Sequence, residues 1–219
     1  MSEFLKIAEL YTSIQGEGIY SGSPCFFIRT AGCDLRCRWC DTPEFIASSS
    51  GTWFSQEKLL DSVPRHIPII LITGGEPLLQ EKNTLLLMQS LHENFPQKTV
   101  LLETGGHRSL SKIPSYDHIV MDIKMPGSGE SAHDFVKNLK YLKQTDEIKI
   151  VIQDKNDFDS AVRFIELHKI DIGCVIFFSP VPDTVELKLL AEWIIQSELN
   201  VRIQIQLHKI IWGKDAKGV

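Results

Sequence analysis

"AGCDLRCRWCDTPE", residues 31–44, places Cys33, Cys37 and Cys40 within eight positions, in a C-x3-C-x2-C spacing. The stretch follows an apolar run, "CFFIRT" (25–30), and charges flank the thiols: Asp34, Arg36, Arg38 and Asp41. It therefore reads as a loop leaving a strand, not as a core segment in which cysteine acts as a small hydrophobe. Closely spaced thiols in a chain without a disulfide framework point to metal. Structural zinc takes four protein ligands, usually two C-x2-C-like pairs or cysteines with histidines. No second pair follows and the nearest histidine is His66, so zinc would need Cys25 or Cys174 recruited by the fold. A [4Fe–4S] cluster normally takes four thiolates. Three leave one iron with an open position, and an open position on a metal is a chemical site.

Working outward, apolar and β-rich runs recur at "CFFIRT" (25–30), "IILIT" (69–73), "TVLLE" (99–103), "HIVMD" (118–122), "EIKIVI" (147–152), "CVIFFS" (174–179) and "VRIQIQ" (201–206). Several are almost continuously apolar, as strands covered on both faces are. Cys25 and Cys174 fall on two of them and read as core. Helical patterns lie between many of the runs, at 55–63, 82–95, 133–144, 156–169 and 185–199. The last follows "DTVE", where Asp183 and Glu186 have the spacing of a capping box. Alternation of strand and helix means an α/β fold with right-handed crossovers. Residues 104–117 have room for a turn or two of helix, and the units are too few for a closed eight-fold barrel. The sequence predicts a partial, open TIM-like barrel of about six parallel strands with reduced helix content. "FLKIAELYTSIQGEG" adds an N-terminal strand that runs into a Gly-rich turn. "ASSSGTW" (47–53) reads as a surface loop. No repeat or linker divides the chain, so residues 1–219 are expected to form one domain.

The 219 residues are 43% hydrophobic and 23% charged, ordinary for a chain that buries a core. No apolar run approaches the length of a membrane span. "MSEFLKIAEL" lacks a basic region followed by an apolar one, so no secretory leader is expected. A formal net charge of −5 argues against non-specific nucleic-acid binding. Five cysteines, three of them clustered, fit a cytoplasmic metalloprotein better than a secreted disulfide scaffold.

C-x3-C-x2-C with Trp39 just before the last cysteine resembles the cluster loop of the radical SAM enzymes. "ITGGEPLLQ" (72–80) adds the family's Gly-Gly-Glu-Pro turn at a strand end. The resemblance implies that Cys33, Cys37 and Cys40 hold a [4Fe–4S] cluster whose open iron chelates S-adenosylmethionine. Gly74 and Gly75 would let backbone carbonyls approach the methionyl ammonium, with Glu76 as compensating charge. It also implies cofactor contacts from Trp39, from Glu103 and Thr104 in "LLETGG", from Asp122 and Lys124 in "VMDIKMP", and from Ser179 in "FFSPV". These residues lie at strand ends, where a barrel keeps its chemistry. No side chain is expected as the catalytic group; the reactive species would be a 5′-deoxyadenosyl radical.

The unbroken stretch from Ile14 to Thr42, with the ending "QIQLHKIIWG", resembles one branch of that family. The branch converts 6-carboxy-5,6,7,8-tetrahydropterin to 7-carboxy-7-deazaguanine with loss of ammonia, on the route to queuosine and other deazapurines. There S-adenosylmethionine is used catalytically. The likeness implies substrate contacts from Gln15, Gly16, Glu17, Gly18, Arg29, Thr73 and His208. The residue types suit a pterin: Glu17 presents two acceptor oxygens to a guanidine-like edge, and Arg29 suits a carboxylate or ring carbonyl. Thr42, two residues past the last cysteine, would ligate Mg2+, a hard ion that often takes few protein ligands. A homodimer and a flavodoxin or ferredoxin electron donor are also implied. Two other readings remain: a glycyl-radical-enzyme activase sharing the cysteine spacing, and a zinc-holding binding module without catalysis. The chain runs on past the "HK" motif through Trp212 to Val219, to cover the pocket or meet a partner.

Overall fold

The structure is a computed structural model that describes residues 4–115, 117–170, 173–214 and 216–219. Met1–Glu3, part of the segment read for a leader, lie outside the described residues. The elements run β1 (Phe4–Ile14), β2 (Pro24–Thr30), β3 (Thr52–Ser55), α1 (Gln56–Asp61), β4 (Ile69–Gly74), α2 (Glu81–Asn94), β5 (Thr99–Thr104) and β6 (His118–Ile123). They continue α3 (Val136–Leu139), β7 (Glu147–Ile152), α4 (Lys155–Leu167), β8 (Val175–Pro180), α5 (Leu187–Ser197), β9 (Arg202–Ile203) and α6 (Leu207–Trp212).

One sheet takes the order β3-β1-β2-β4-β5-β6-β7-β8-β9. From β2 to β9 every neighbouring pair is parallel. β1 pairs antiparallel with β2 and β3, so it is the added N-terminal strand. The sheet stays open between β3 and β9, as the expected partial barrel does. Six parallel strands are of full length, and β9 is a two-residue remnant.

Alternation along each strand divides the side chains between two faces. One set, including Ile28, Ile70, Ile72, Leu102, Ile123, Ile148 and Ile150, builds the main core with side chains of α1, α2, α4 and α5. The other set starts apolar, with Cys25, Phe27, Ile69, Leu71 and Leu101, and with Tyr11 and Tyr20 against them. Toward the C-terminal strand ends it turns polar: Arg29, Thr73, Glu103, Asp122 and Lys149 each lie two residues beyond an apolar or acidic predecessor on the same face. The strands are therefore buried on both faces only in their first halves. The second halves of the inner face line a cavity.

α1, α2 and α4 fall where the sequence predicts them. Asp154 caps α4 by accepting from Asp157 N–H at 3.0 Å. Several expectations are corrected. The helix at 133–144 shrinks to Val136–Leu139, because Asn138 is buried as a bridge: its amide donates to the carbonyls of Gly106 and Arg108 and its oxygen accepts from Leu110 N–H. The same bridge holds 104–117 in place, and no helix forms there among the described residues. The capping box before α5 does not form: Asp183 sits at φ 62° and pairs with Lys214, and the helix starts after Glu186 with no side-chain cap. The strand at 201–206 is reduced to Arg202–Ile203, because Gln204 and Gln206 turn their amides to Glu17. "ASSSGTW" is only partly loop, since Thr52 and Trp53 open the edge strand β3. Cys25 is fully buried as expected, whereas Cys174 precedes β8 and is only partly buried against the core.

Candidate active site

The C-terminal strand ends and the loops above them enclose a cavity of about 250 Å³. Cys33, Cys37 and Cys40 line it, with Trp39 and Thr42. The cysteine loop is fixed by backbone bonds on three sides. Gly32 and Cys33 N–H donate to the carbonyls of Phe45 and Ile46, both at 2.9 Å, and Arg38 N–H donates to Ser128 at 3.0 Å. The third side is the Gly-Gly-Glu-Pro turn: Glu76 N–H donates to the Gly32 carbonyl at 2.9 Å. A Cβ on Gly75 would lie 2.2 Å from that oxygen and 3.0 Å from the Cys33 Cβ, so only glycine permits the contact.

Burial pushes the Cys33 thiol up to about 11 and raises Cys37 as well. Metal must therefore displace protons from both. Among the described residues no three Cys, His, Asp or Glu side chains converge as they would around one ion. A cubane cluster spreads its thiolates over separate irons and can leave one iron open, whereas structural zinc takes four protein ligands. Cys25, Cys174 and His66 do not line the cavity.

Beside the cysteines stand Gly74, Gly75, Thr104, Asp122, Lys124 and Ser179, all in the cavity wall. Lys124 pairs with Asp122 Oδ2 at 2.8 Å. Asp122 Oδ1 is buried with no hydrogen-bond partner among the described residues. Glu76 is the exception in this group. It lies behind the wall, 1% exposed, and accepts from Leu78 N–H, Gly105 N–H and the Thr104 hydroxyl at 2.8–2.9 Å. Burial raises its pKa in spite of those bonds.

Gln15, Glu17, Gly18, Arg29, Thr73 and His208 line the same cavity. Gly16 is behind them: its carbonyl accepts from Leu207 N–H at 3.0 Å, and a Cβ there would meet His208 Nδ1 at 2.0 Å. The QGEG turn is thereby locked to α6 across the open seam of the sheet. Gly18 N–H donates to Gln204 at 2.6 Å and Ile19 N–H to Glu147 at 3.2 Å. Arg29 is held by Glu9 at 3.0 Å and the Tyr11 hydroxyl at 3.1 Å, not by Asp34, which pairs with His107 and Arg108. Burial lowers the pKa of His208, so the ring is neutral at pH 7. The Thr42 side chain makes no cap bond to the short turn after it, which leaves its hydroxyl available. Lys209 and Val219 also line the cavity.

Sequence reasoning missed Lys149, Gln204 and Gln206. Lys149 Nζ stands 2.6 Å from Glu17, 2.9 Å from Glu103 and 3.9 Å from Asp122. Glu103 also accepts from the Thr73 hydroxyl at 2.9 Å, so it sits between the two groups of residues. Burial alone would raise Glu103, but Lys149 and Thr73 outweigh it and hold its pKa at about 2. Burial alone would lower Lys149, but Glu103, Glu17 and Asp122 hold it well above the usual lysine value. A signal was present: a lysine in mid-strand, in "EIKIVI", is almost never buried unpaired.

Three thiols of one loop in a cavity wall, with the Gly-Gly-Glu-Pro turn packed beneath them, match the arrangement implied by the resemblance to radical SAM proteins with one [4Fe–4S] cluster. The chain matches the family described as "4Fe-4S single cluster domain" over residues 14–143. It is 41% identical to the 7-carboxy-7-deazaguanine synthase of Chlorobaculum tepidum, covering 98% of this chain and 97% of that one. It is 37% identical to the synthase of Koribacter versatilis, covering 98% and 100%. The crystal structure of QueE from Escherichia coli shares the fold, with a TM-score of 0.77 at 24% identity over 94% of this chain and 95% of that one. The chain belongs to the 7-carboxy-7-deazaguanine synthase family.

Proposed function

We propose that this protein contracts the ring of 6-carboxy-5,6,7,8-tetrahydropterin to 7-carboxy-7-deazaguanine, releasing ammonia. The observation that carries the reading is the single cavity joining the three thiols to a ring of acceptors and one arginine. Cys33, Cys37 and Cys40 hold the [4Fe–4S] cluster. Bound there, S-adenosylmethionine supplies a carbon radical able to take hydrogen from the substrate. Trp39, Gly74, Gly75, Thr104, Asp122, Lys124 and Ser179 seat the cofactor, and Asp122 Oδ1 takes one of its donors. Glu76 acts from behind by holding the turn. Glu103 stands where cofactor and substrate meet.

Gln15, Glu17 and Thr73 present acceptors to the guanidine-like edge of the pterin. Gly16 and Gly18 let the turn pack against His208 and Glu147 and so hold Gln15 and Glu17 beside the ring. Arg29, already oriented by Glu9 and Tyr11, and neutral His208 meet the carboxylate and ring carbonyl. The Thr42 hydroxyl, with substrate oxygens, ligates Mg2+. The Val219 end of the chain excludes water above the ring. The continuous core supports a single domain. The protein works as a cytoplasmic homodimer fed by a flavodoxin or ferredoxin; exposed Ile195, Ile210 and Ile211 offer apolar surface for self-association. No helix among the described residues is long and apolar enough to cross a membrane.

The test is anaerobic turnover of the reconstituted protein with dithionite, S-adenosylmethionine, Mg2+ and the tetrahydropterin, read by mass spectrometry. 7-Carboxy-7-deazaguanine is the expected product. Deoxyadenosine without it would favour an activase. Zinc without sulfide in the anaerobically purified protein would end both catalytic readings.

A further inference from the structure

Lys149 has a role that the cysteine loop and the glycine turns do not explain. Its side chain is 12% exposed and reaches from the middle of β7 into the cavity, between Glu17 on the QGEG turn and Glu103 on β5. Removing it would leave two carboxylates in one poorly solvated pocket, and one of them would take a proton. A protonated carboxyl donates where a carboxylate accepts.

The acceptor inventory shows what the lysine leaves free. A carboxylate has about four lone-pair sites, two on each oxygen. On Glu17, Oε2 takes Lys149 and Gln204, while Oε1 takes only Gln206 at 2.6 Å. On Glu103, Oε1 takes Lys149 and Oε2 takes Thr73. One site remains on Glu17 and two on Glu103. We propose that Lys149 is a positioning residue for the substrate. It keeps Glu17 and Glu103 ionised and turned so that their remaining lone pairs meet the N–H edge of a flat, donor-rich heterocycle. The proposal rests on the pterin reading of this site. It also assigns Lys149 no proton transfer, since its carboxylate neighbours keep it charged.

The test compares Lys149→Met and Lys149→Arg with the wild type under anaerobic conditions. The readouts are 6-carboxytetrahydropterin affinity by titration, KM and kcat, iron content, and the S-adenosylmethionine-induced change in the reduced-cluster EPR spectrum. Lys149→Met should weaken pterin binding about ten- to a hundredfold, the loss expected for charge-assisted hydrogen bonds. The effect should fall chiefly on pterin affinity and KM with iron content at the wild-type level, and the cofactor-induced EPR change should move less than the pterin affinity, since Lys149 reaches the cofactor side only through Glu103 and Asp122. Lys149→Arg should recover part of the affinity. Unchanged pterin affinity in a folded Lys149→Met protein would overturn the proposal. If that variant does not fold, Glu103→Gln/Lys149→Met removes the unpaired charge; wild-type affinity in the double variant would equally overturn it, and weak affinity is expected. A wild type that holds its cluster but does not bind the pterin would instead overturn the reading of the site, and this proposal with it.

Discussion

Replacing Gly16 by alanine would test how the substrate side of the cavity is assembled. The backbone there does not need glycine, since Gly16 is absent from the positive-φ positions. The space does: the new Cβ would lie 2.0 Å from His208 Nδ1 and 2.9 Å from its Cγ. Real Cβ contacts are essentially never under 3.0 Å, so the imidazole must withdraw by at least about 1 Å. A misplacement of that size at a positioning group can cost about a hundredfold in rate. The Leu207 to Gly16 backbone bond and the core are untouched, so the fold and the cluster should persist. The assay is kcat/KM for the tetrahydropterin with iron content and thermal unfolding alongside. Gly16→Ala should lose about a hundredfold in kcat/KM with normal iron. Gly16→Ala/His208→Ala should be no worse than His208→Ala alone, because the clash is gone. A Gly16→Ala enzyme within about threefold of wild type would refute the reasoning.

Gly75→Ala should abolish cluster loading while leaving secondary structure intact, since its Cβ would strike backbone of the cysteine loop; iron and sulfide analysis after reconstitution checks this. Asp157→Ala should destabilise the fold by about 2–4 kcal/mol in urea titrations. That carboxylate is fully buried and accepts from Gly127 N–H at 2.7 Å and Gln153 N–H at 3.1 Å, and its loss strands both donors. Acid should weaken the fold through Glu103. Its folded pKa of about 2 lies below the unfolded value of about 4.3, so its contribution is complete above roughly pH 4.3 and is lost as pH falls toward 2. Stability measured against pH should show this limb in the wild type and a smaller one in Glu103→Gln.

The parts legible in the sequence are those whose chemistry is local. The cysteine loop, the Gly-Gly-Glu-Pro turn and the QGEG turn each announce themselves by residues few other settings would tolerate. The strands were legible because β-branched runs are dense. What escaped depends on distant partners. Lys149 was hidden in a strand read as core, and its meaning comes from Glu17 and Glu103, 132 and 46 residues away by numbering. Gln204 and Gln206 alternate as a strand would, but their amides find Glu17 and end the pairing early. Asn138 sits in a helical pattern, yet the carbonyls of Gly106 and Arg108 claim its side chain. Asp183 had the right spacing to cap α5 and the wrong backbone angle to do it. Glu76 was read as a compensating charge, but the donors its carboxylate takes, from Leu78, Thr104 and Gly105, could not be named from sequence.

The most direct measurement of the central claim is the ratio of product formed to S-adenosylmethionine consumed, in the anaerobic assay with the wild-type protein. One cavity that seats cofactor and substrate side by side, as proposed, predicts several molecules of 7-carboxy-7-deazaguanine for each cofactor lost. Deoxyadenosine accumulating in step with cofactor consumption, with no deazaguanine, would contradict it.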